Sequence, residues 1–333
     1  MGRIEFICDL LERFNILVEH NIIKNSRGGA TTLTKAFYLF DVVLAFIVHG
    51  STLTDYFEYE FYKKRHYERS KFITFRRANR IFEFLSDSIE SKKLRDKYEI
   101  SLAYDEFMKR DWLYMGVCDF HEFESFCQVH SKFMVKPRFG SCGKGVYIQN
   151  VQGENLRELF SRLKEEDAVL DELIDQHPKM ASLHPHSVNT VRVTTVLTDL
   201  GVEIMNVALR MGNDGSVIDN HAAGGLVANV DIDTGVVYTT GIDRLSNRYA
   251  FHPVTGEKIV GFEIPYWEEI VHLINEIAMV LPKVRYVGWD VAITSNGPVL
   301  IEGNDRGMMD VQQQADQVGK LQLYKNVMKK VAA

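Results

Sequence analysis

The sequence predicts an α+β protein with a helical N-terminal region, and three observations carry that class. Residues 1 to 95 repeat apolar positions at helical spacing and hold only short, ambiguous strand signals. Beyond residue 178 the chain turns to β-branched runs separated by Gly and Asp-Gly turns. Helices flank these runs without a regular βαβ alternation, which favours α+β subdomains over a doubly wound sheet. The expected division is a helical region at 1–95, a small α+β subdomain at 96–177 and a larger one at 178–333.

Within the first region the most apolar run, Ala36 to Val48, is interrupted by Asp41. It is shorter than the roughly 20 residues that span a bilayer, so the expectation is a buried helix rather than a membrane-dipping segment, and no transmembrane segment. The stretch Tyr56 to Arg80 mixes aromatics with Lys63, Lys64, Arg65, Arg69, Lys71, Arg76, Arg77 and Arg80. It reads as a solvated helix face with its aromatics turned inward, or as a docking surface for an acidic partner such as an anionic glycan, a lipid headgroup or a nucleic acid.

Lys97–Met108 has helical spacing. Phe133–Arg138 and Gly145–Asn150 read as strands joined by a glycine-rich turn, followed by a helix at Asn155–Glu165 and a strand at Ala168–Ile174. Strands are then expected at Thr190–Leu197, Val202–Met211, Leu226–Asp233 and Val236–Ile242, and a helix at Tyr266–Leu281. Tyr286–Thr294 and Pro298–Gly303 form a hairpin across Ser295-Asn296-Gly297, and Val311–Val331 reads as one terminal helix.

Composition excludes several classes. A net charge of -6 argues against nucleic acid as the main partner. The four cysteines are scattered, with no CxxC pair, which points to a reducing compartment and hence a cytoplasmic location. Glu5 and Asp9 interrupt the first apolar stretch, unlike a secretory signal.

Two motifs carry chemistry. In the first, Lys136 lies on a strand before a loop containing Gly140, Ser141, Gly143 and Gly145. Glycines let backbone N–H groups approach phosphate oxygens, and the lysine adds a fixed positive charge. The strand–loop–strand context differs from a Walker loop, which leads into a helix. In the second, Asp290 and Glu302 lie on the two strands of the hairpin, with Asn304 two residues beyond Glu302 and on the same face. Three such oxygen ligands suit Mg²⁺ held jointly with phosphate. Arg192 and Arg210 sit inside apolar β runs, where an unpaired guanidinium is expensive. They are either paired structural arginines or contacts for a phosphate or acyl phosphate.

Together the motifs resemble the ATP-grasp superfamily, over about residues 90 to 310. The resemblance implies a fold of two α+β subdomains that sandwich ATP. It makes Lys97 the first ATP-binding lysine, with Lys92 and Lys93 as fallbacks, and Lys136 the second. The segment Ala168–Ile174 is similar to the linker that meets adenine and ribose, where Asp171, Glu172 and Asp175 remain alternatives for the ribose. Gln176-His177-Pro178, Ser187–Arg192 and Asp219–Gly225 resemble the group called sugar-transfer-associated ATP-grasp proteins, often labelled glutamate-ligase-like. His221 in that loop is a candidate base or substrate contact. One departure is Asp305-Arg306-Gly307, where many ligases have a Ser/Thr-Pro-Gly turn.

The resemblance implies ATP and Mg²⁺ as cofactors and a carboxylate–amine ligase acting through an acyl phosphate in cell-surface polysaccharide synthesis. Its substrates would be a uronic acid sugar and an amino acid, with peripheral association to glycan assembly machinery. A kinase acting on a sugar hydroxyl and a nucleotide-gated scaffold are the alternatives.

Overall fold

The structure is a computed structural model that describes residues 3–19, 32–140, 143–213, 224–307 and 309–331. Five helices open the chain: α1 (Arg3–Val18), α2 (Thr32–His49), α3 (Leu53–Glu58), α4 (His66–Arg69) and α5 (Phe75–Leu85). Local chemistry sets several of their boundaries. Thr52 caps α3 and Asp55 reciprocates in a capping box, which satisfies two end N–H groups. Phe14, Val18, Tyr56, Phe57, Phe61 and Phe72 form the core of this region.

The expected helix around Ala36–Val48 forms, but the expectation that it is buried does not hold. Only Ala45 and His49 of α2 are buried. Asp41 does not break the helix, because it turns inward to a bidentate pair with Arg69 at 2.7–2.8 Å and accepts the Tyr56 hydroxyl.

Next come α6 (Lys97–Met108), β1 (Trp112–Tyr114), α7 (Phe120–Val129), β2 (Lys132–Pro137), β3 (Tyr147–Asn150), α8 (Leu156–Glu165) and β4 (Ala168–Glu172). The strands form an antiparallel sheet in the order β1-β4-β2-β3. Alternation along β2 and β4 sends Phe133, Val135, Ala168 and Leu170 toward α7 and α8, where Phe123, Leu159 and Leu163 meet them. Lys136 and Asp171 take the opposite face. The sequence reading did not identify β1 and α7. β1 is three residues long, too short to show a period, and exists because it pairs with β4.

The second sheet contains β5 (Thr190–Thr198), β6 (Gly201–Met211), β7 (Leu226–Val230), β8 (Gly241–Ile242), β9 (Arg248–Tyr249), β10 (Tyr286–Thr294) and β11 (Gly297–Asn304), after a short α9 (Pro178–Ala181). Its order is β11-β10-β5-β6-β7-β8-β9. The run Val236–Ile242 is a strand only at its end, since Val236 and Val237 make isolated bridges to Glu263 and Val230. α10 (Trp267–Ile277) packs Ile270, Ile274 and Ile277 into the core with Val191, Val207, Trp289 and Leu300.

The expected terminal helix is two helices, α11 (Asp310–Asp316) and α12 (Leu321–Val331). Gln317 is left-handed at the break. A Cβ on Gly319 would lie 2.4 Å from the carbonyl carbon of Lys71, so the chain must bend where it meets the N-terminal region. Gln313 of α11 accepts the Ile73 N–H at 2.8 Å and donates to the Ile73 carbonyl, which ties the two regions together.

Candidate functional site

The register of the large sheet brings the second motif together. Arg192, Asp290 and Glu302 are direct cross-strand neighbours on β5, β10 and β11. Arg210 on β6 reaches the same carboxylate. Asp290 accepts from Arg192 Nε and from its NH2 at 2.7 Å, and from Arg210 NH1 at 2.9 Å. Burial opposes the charge on Asp290, yet the two guanidinium groups hold its carboxyl well below the usual carboxylate range. Both arginines expected from the β runs therefore converge on one partner.

Glu302 is different. Burial, and then the charge of Asp290, push its carboxyl above the ordinary value. Asn304 donates its Nδ2 to Glu302 at 3.2 Å and lies 3.5 Å from Asp290 Oδ2. Glu302 faces the site only because of a β-bulge. Asp290 opposes Glu302 while Val291 opposes Leu300, so Ile301 is an extra residue between them. Simple alternation would place Leu300 and Glu302 on one face. The bulge lets Leu300 stay in the core while Glu302 turns to the site.

Across from this face stands the first motif. Lys136 donates to Asp171 Oδ2, and Arg110 approaches the same oxygen at 3.4 Å. Burial opposes ionisation of Asp171, and Lys136 and Arg110 overcome it. Arg110 NH1 also donates to the Leu300 carbonyl at 2.6 Å, at the bulge, and NH2 lies 3.5 Å from the Ile301 carbonyl. One guanidinium thus joins β4 of the small sheet to β11 of the large one. Arg110 is a residue that sequence reasoning missed. It lies between a helix and a short strand, and only the fold gives it partners.

Lys97 stands in the first turn of α6, capped by Asp96. Burial lowers its ammonium pKa, with Lys136 acting in the same direction and Glu302 against it, so the lysine lies within the field of both motifs. Asp96 also takes a bidentate pair from Arg138 at 2.6–2.9 Å, and the backbone at Asp96 bridges to Phe139. The start of α6 is thereby fastened to the base of the glycine loop. In that loop Gly143 and Gly145 both have positive φ, and a Cβ on Gly145 would meet the Pro137 ring at 2.8 Å. Ser141 lies outside the described residues, as does His221.

The remaining candidates are not brought into the cluster. Glu172 sits on the face of β4 opposite Asp171 and accepts the Asp111 N–H at 3.0 Å, close to His130. Asp175 is exposed in the link to α9. Lys93 pairs with Glu90 at 2.9 Å and Lys92 is exposed.

The departure at Asp305-Arg306-Gly307 has a local cause. Asp305 takes a bidentate pair from Arg95, with NH2 at 2.5 Å, just before α6. Gly307 packs against Gly288, so a Cβ there would lie 2.9 Å from the Gly288 Cα. The motif Gln176 … Asn189 is a buried knot. Gln176 Oε1 accepts both N–H groups of Asn189 at 3.1 Å, and Asn189 Oδ1 accepts the Gly212 N–H at 3.2 Å.

A lysine strand and glycine loop facing a carboxylate–carboxylate–amide hairpin define the ATP-grasp class. The family of sugar-transfer associated ATP-grasp proteins matches residues 69–329, and the chain belongs to it. No curated protein matches it. Among solved structures it is similar to the ATP-grasp ligase PsnB complexed with a phosphomimetic variant of its minimal precursor, Mg and ADP. That match has 13% identity and a TM-score of 0.46, over 74% of this chain and 62% of that one, so this chain spans less than two thirds of it. D-alanyl-alanine synthetase A from Vibrio cholerae O1 biovar eltor is 11% identical, with a TM-score of 0.44 over 73% and 67% of the chains. L-amino acid ligase from Bacillus licheniformis is 11% identical, with a TM-score of 0.44 over 72% and 48%.

Proposed function

We propose that the protein is an ATP- and Mg²⁺-dependent ligase that joins a carboxylate to an amine through an acyl phosphate. One observation carries the reading: five cationic side chains (Lys97, Arg110, Lys136, Arg192 and Arg210) share one crevice with three carboxylates (Asp171, Asp290 and Glu302). The surplus is positive and partly buried, which suits a polyanion such as a triphosphate.

The residues also fit a divalent cation. Glu302 is a half-buried carboxylate beside another, and among the described residues its direct side-chain hydrogen bond comes from a neutral amide. Such a group gains most from a hard cation with oxygen preference. Asp290 and Glu302 would hold it, and Asn304 would join them by turning its Oδ1 inward. When bound, Mg²⁺ supplies charge neutralisation at the phosphate oxygens.

In the reaction, a substrate carboxylate oxygen attacks the γ-phosphorus, the bond to the bridging oxygen breaks, and ADP leaves. The amine nitrogen then attacks the acyl carbon, phosphate departs, and the nitrogen loses a proton. The chain's own groups position and screen rather than react covalently. Lys136 and Lys97 face the phosphate charge. Arg192 and Arg210 orient Asp290, and the charge of their guanidinium groups favours the more highly charged acyl phosphate. The family description, sugar-transfer associated, supports a sugar-linked substrate; a uronic acid as the acid, an amino acid as the amine and a place in surface polysaccharide synthesis are part of the proposal.

The test supplies ATP, Mg²⁺, a panel of uronic acids and hydroxylamine. A hydroxamate formed with one acid, together with ADP, supports the reading. A phosphorylated alcohol with no hydroxamate replaces the ligase by a kinase.

A further inference from the structure

α2 carries an imbalance that the crevice does not explain. Ten residues between Leu33 and Val48 are exposed, and every one is apolar. Leu33, Ala36, Phe40, Val43 and Ile47 run along the centre of this face, and Phe40 is 67% exposed. At 100° per residue the exposed positions cover an arc of about 200°. Among the described residues, this is the one helix long and apolar enough to cross a membrane. Its inner side is committed, however. Ala45 and His49 are buried there, and Asp41 is locked to Arg69 and Tyr56.

We propose that the exposed arc of α2 is a membrane-binding face that lies in the plane of an anionic bilayer. Four features choose this occupant. The arc is about twice the width of the ~100° stripe that one packed partner element covers, whereas hydrocarbon covers any width. Its polar flank is basic: between Lys63 and Arg80 eight Lys and Arg residues accompany one acidic residue, Glu68, and a positive excess remains after Arg69 pairs with Asp41 and Lys63 with Glu60, in a chain whose net charge is -6. That basic flank touches the apolar face, since the Arg76 guanidinium stands 5.2 Å from the Phe46 ring centroid. Exposed aromatics lie in the same stretch, with Tyr67 under the Lys71 ammonium at 4.5 Å and Phe75 beside Arg76. The cations and exposed aromatics come from the segment after α2, so apolar face and basic rim together form the kind of surface a monotopic protein presents to a bilayer interface.

Two alternatives fit less well. Pairing α2 with α2 of a second copy would bring two basic flanks together and leave much of each arc wet. Crossing the bilayer would require breaking the Asp41–Arg69 pair, whose members are only 16% and 13% exposed at the side chain. An in-plane helix keeps that pair and still covers the arc. The arrangement would hold the crevice at a surface where lipid-borne sugars are presented, although the proposal stands without the ligase reading.

The experiment is co-sedimentation of the full chain with vesicles of phosphatidylcholine alone or with 30% phosphatidylglycerol. Wild type is expected on the phosphatidylglycerol vesicles, with binding that weakens as salt rises. Phe40→Glu/Ile47→Glu removes two inserted side chains and is expected to lower partitioning at least about a hundredfold. Arg76→Glu/Arg80→Glu is expected to lower it by more than roughly twentyfold, from about fivefold for each lost cation. Both variants should keep wild-type circular dichroism and nucleotide affinity, because all four residues are exposed and none lines the crevice. Wild type that ignores both vesicles overturns the proposal. So does a dimer by light scattering that Phe40→Glu/Ile47→Glu separates while lipid binding is absent, which would assign the face to a second copy.

Discussion

Arg110 links the two sheets at the β11 bulge, so Arg110→Met isolates what that link contributes. The substitution keeps an apolar stem of similar length and removes the guanidinium. The side chain is only 5% exposed, and so little water is available to replace it. The short bond to the Leu300 carbonyl is made by a charged donor and contributes about 1.5–3 kcal/mol. The longer approaches, 3.4 Å to Asp171 and 3.5 Å to Ile301, add on the order of 1 kcal/mol together. The expected loss of about 2–4 kcal/mol lowers the melting temperature by roughly 3–6 °C, at about 1.4 °C per kcal/mol for an unfolding entropy of about 2.1 cal/mol/K per residue over 333 residues. Function should suffer too, because the bulge aims Glu302. Calorimetric unfolding and titration with Mg²⁺ and a non-hydrolysable ATP analogue are expected to show both changes. Lys179→Ala is the control: its pair with Glu263 is 42% and 73% exposed and should contribute at most about 1 kcal/mol. An Arg110→Met protein within a degree of wild type, with unchanged nucleotide affinity, refutes the idea that Arg110 holds the bulge.

Three further outcomes are expected. Glu302→Gln should abolish most ADP formation while stabilising the ligand-free protein at neutral pH. The folded-state pKa of Glu302 is raised, so wild-type stability falls as pH rises above the ordinary 4.5, and glutamine has no such fall; melting curves from pH 4 to 7.5 should diverge upward, and a gap that narrows would sink the argument. Lys136→Ala and Lys97→Ala should each weaken nucleotide binding roughly tenfold or more, by loss of about 1.5–3 kcal/mol of charge-assisted contact; isothermal titration with unchanged affinity in both would remove the lysines from the site. Gly307→Ala places a methyl 2.9 Å from the Gly288 Cα and should cost about 1–3 kcal/mol as the loop shifts, which denaturant unfolding would read as a lower midpoint.

Much of the fold was legible because its long elements carry their own period. Tyr286–Thr294 and Lys97–Met108 coincide with β10 and α6. The carboxylate–carboxylate–amide set was legible as well, because acidic residues inside apolar β runs have few explanations. What the sequence hid was pairing across large separations. Arg110 meets Leu300 across 190 positions, and Arg95 meets Asp305 across 210. The Ile301 bulge was also hidden, since a sequence period cannot show an extra residue that only a partner strand reveals. The terminal helix break at Gln317 escaped for the same reason, because its cause is the Lys71 backbone rather than a proline.

The burial of α2 was misjudged for a different reason, and the reason joins it to the crevice. Apolar content reports that a face avoids water, not what covers it. In the crevice the same incompleteness is electrostatic. Asp290 is satisfied internally by two arginines, while Glu302 is left with an amide and a raised pKa. Asp41, Asp96 and Asn189 are completed from within the chain, by Arg69 and Tyr56, by Arg138 and by Gln176, whereas burial also raises the carboxyls of Asp55 and Glu58. Glu302 differs from Asp55 and Glu58 by lying in the field of Lys97 and Lys136, so its shortfall, like the uncovered face of α2, is best explained by a partner from outside the chain. The first calls for a metal and a polyanion, and the second for a lipid surface.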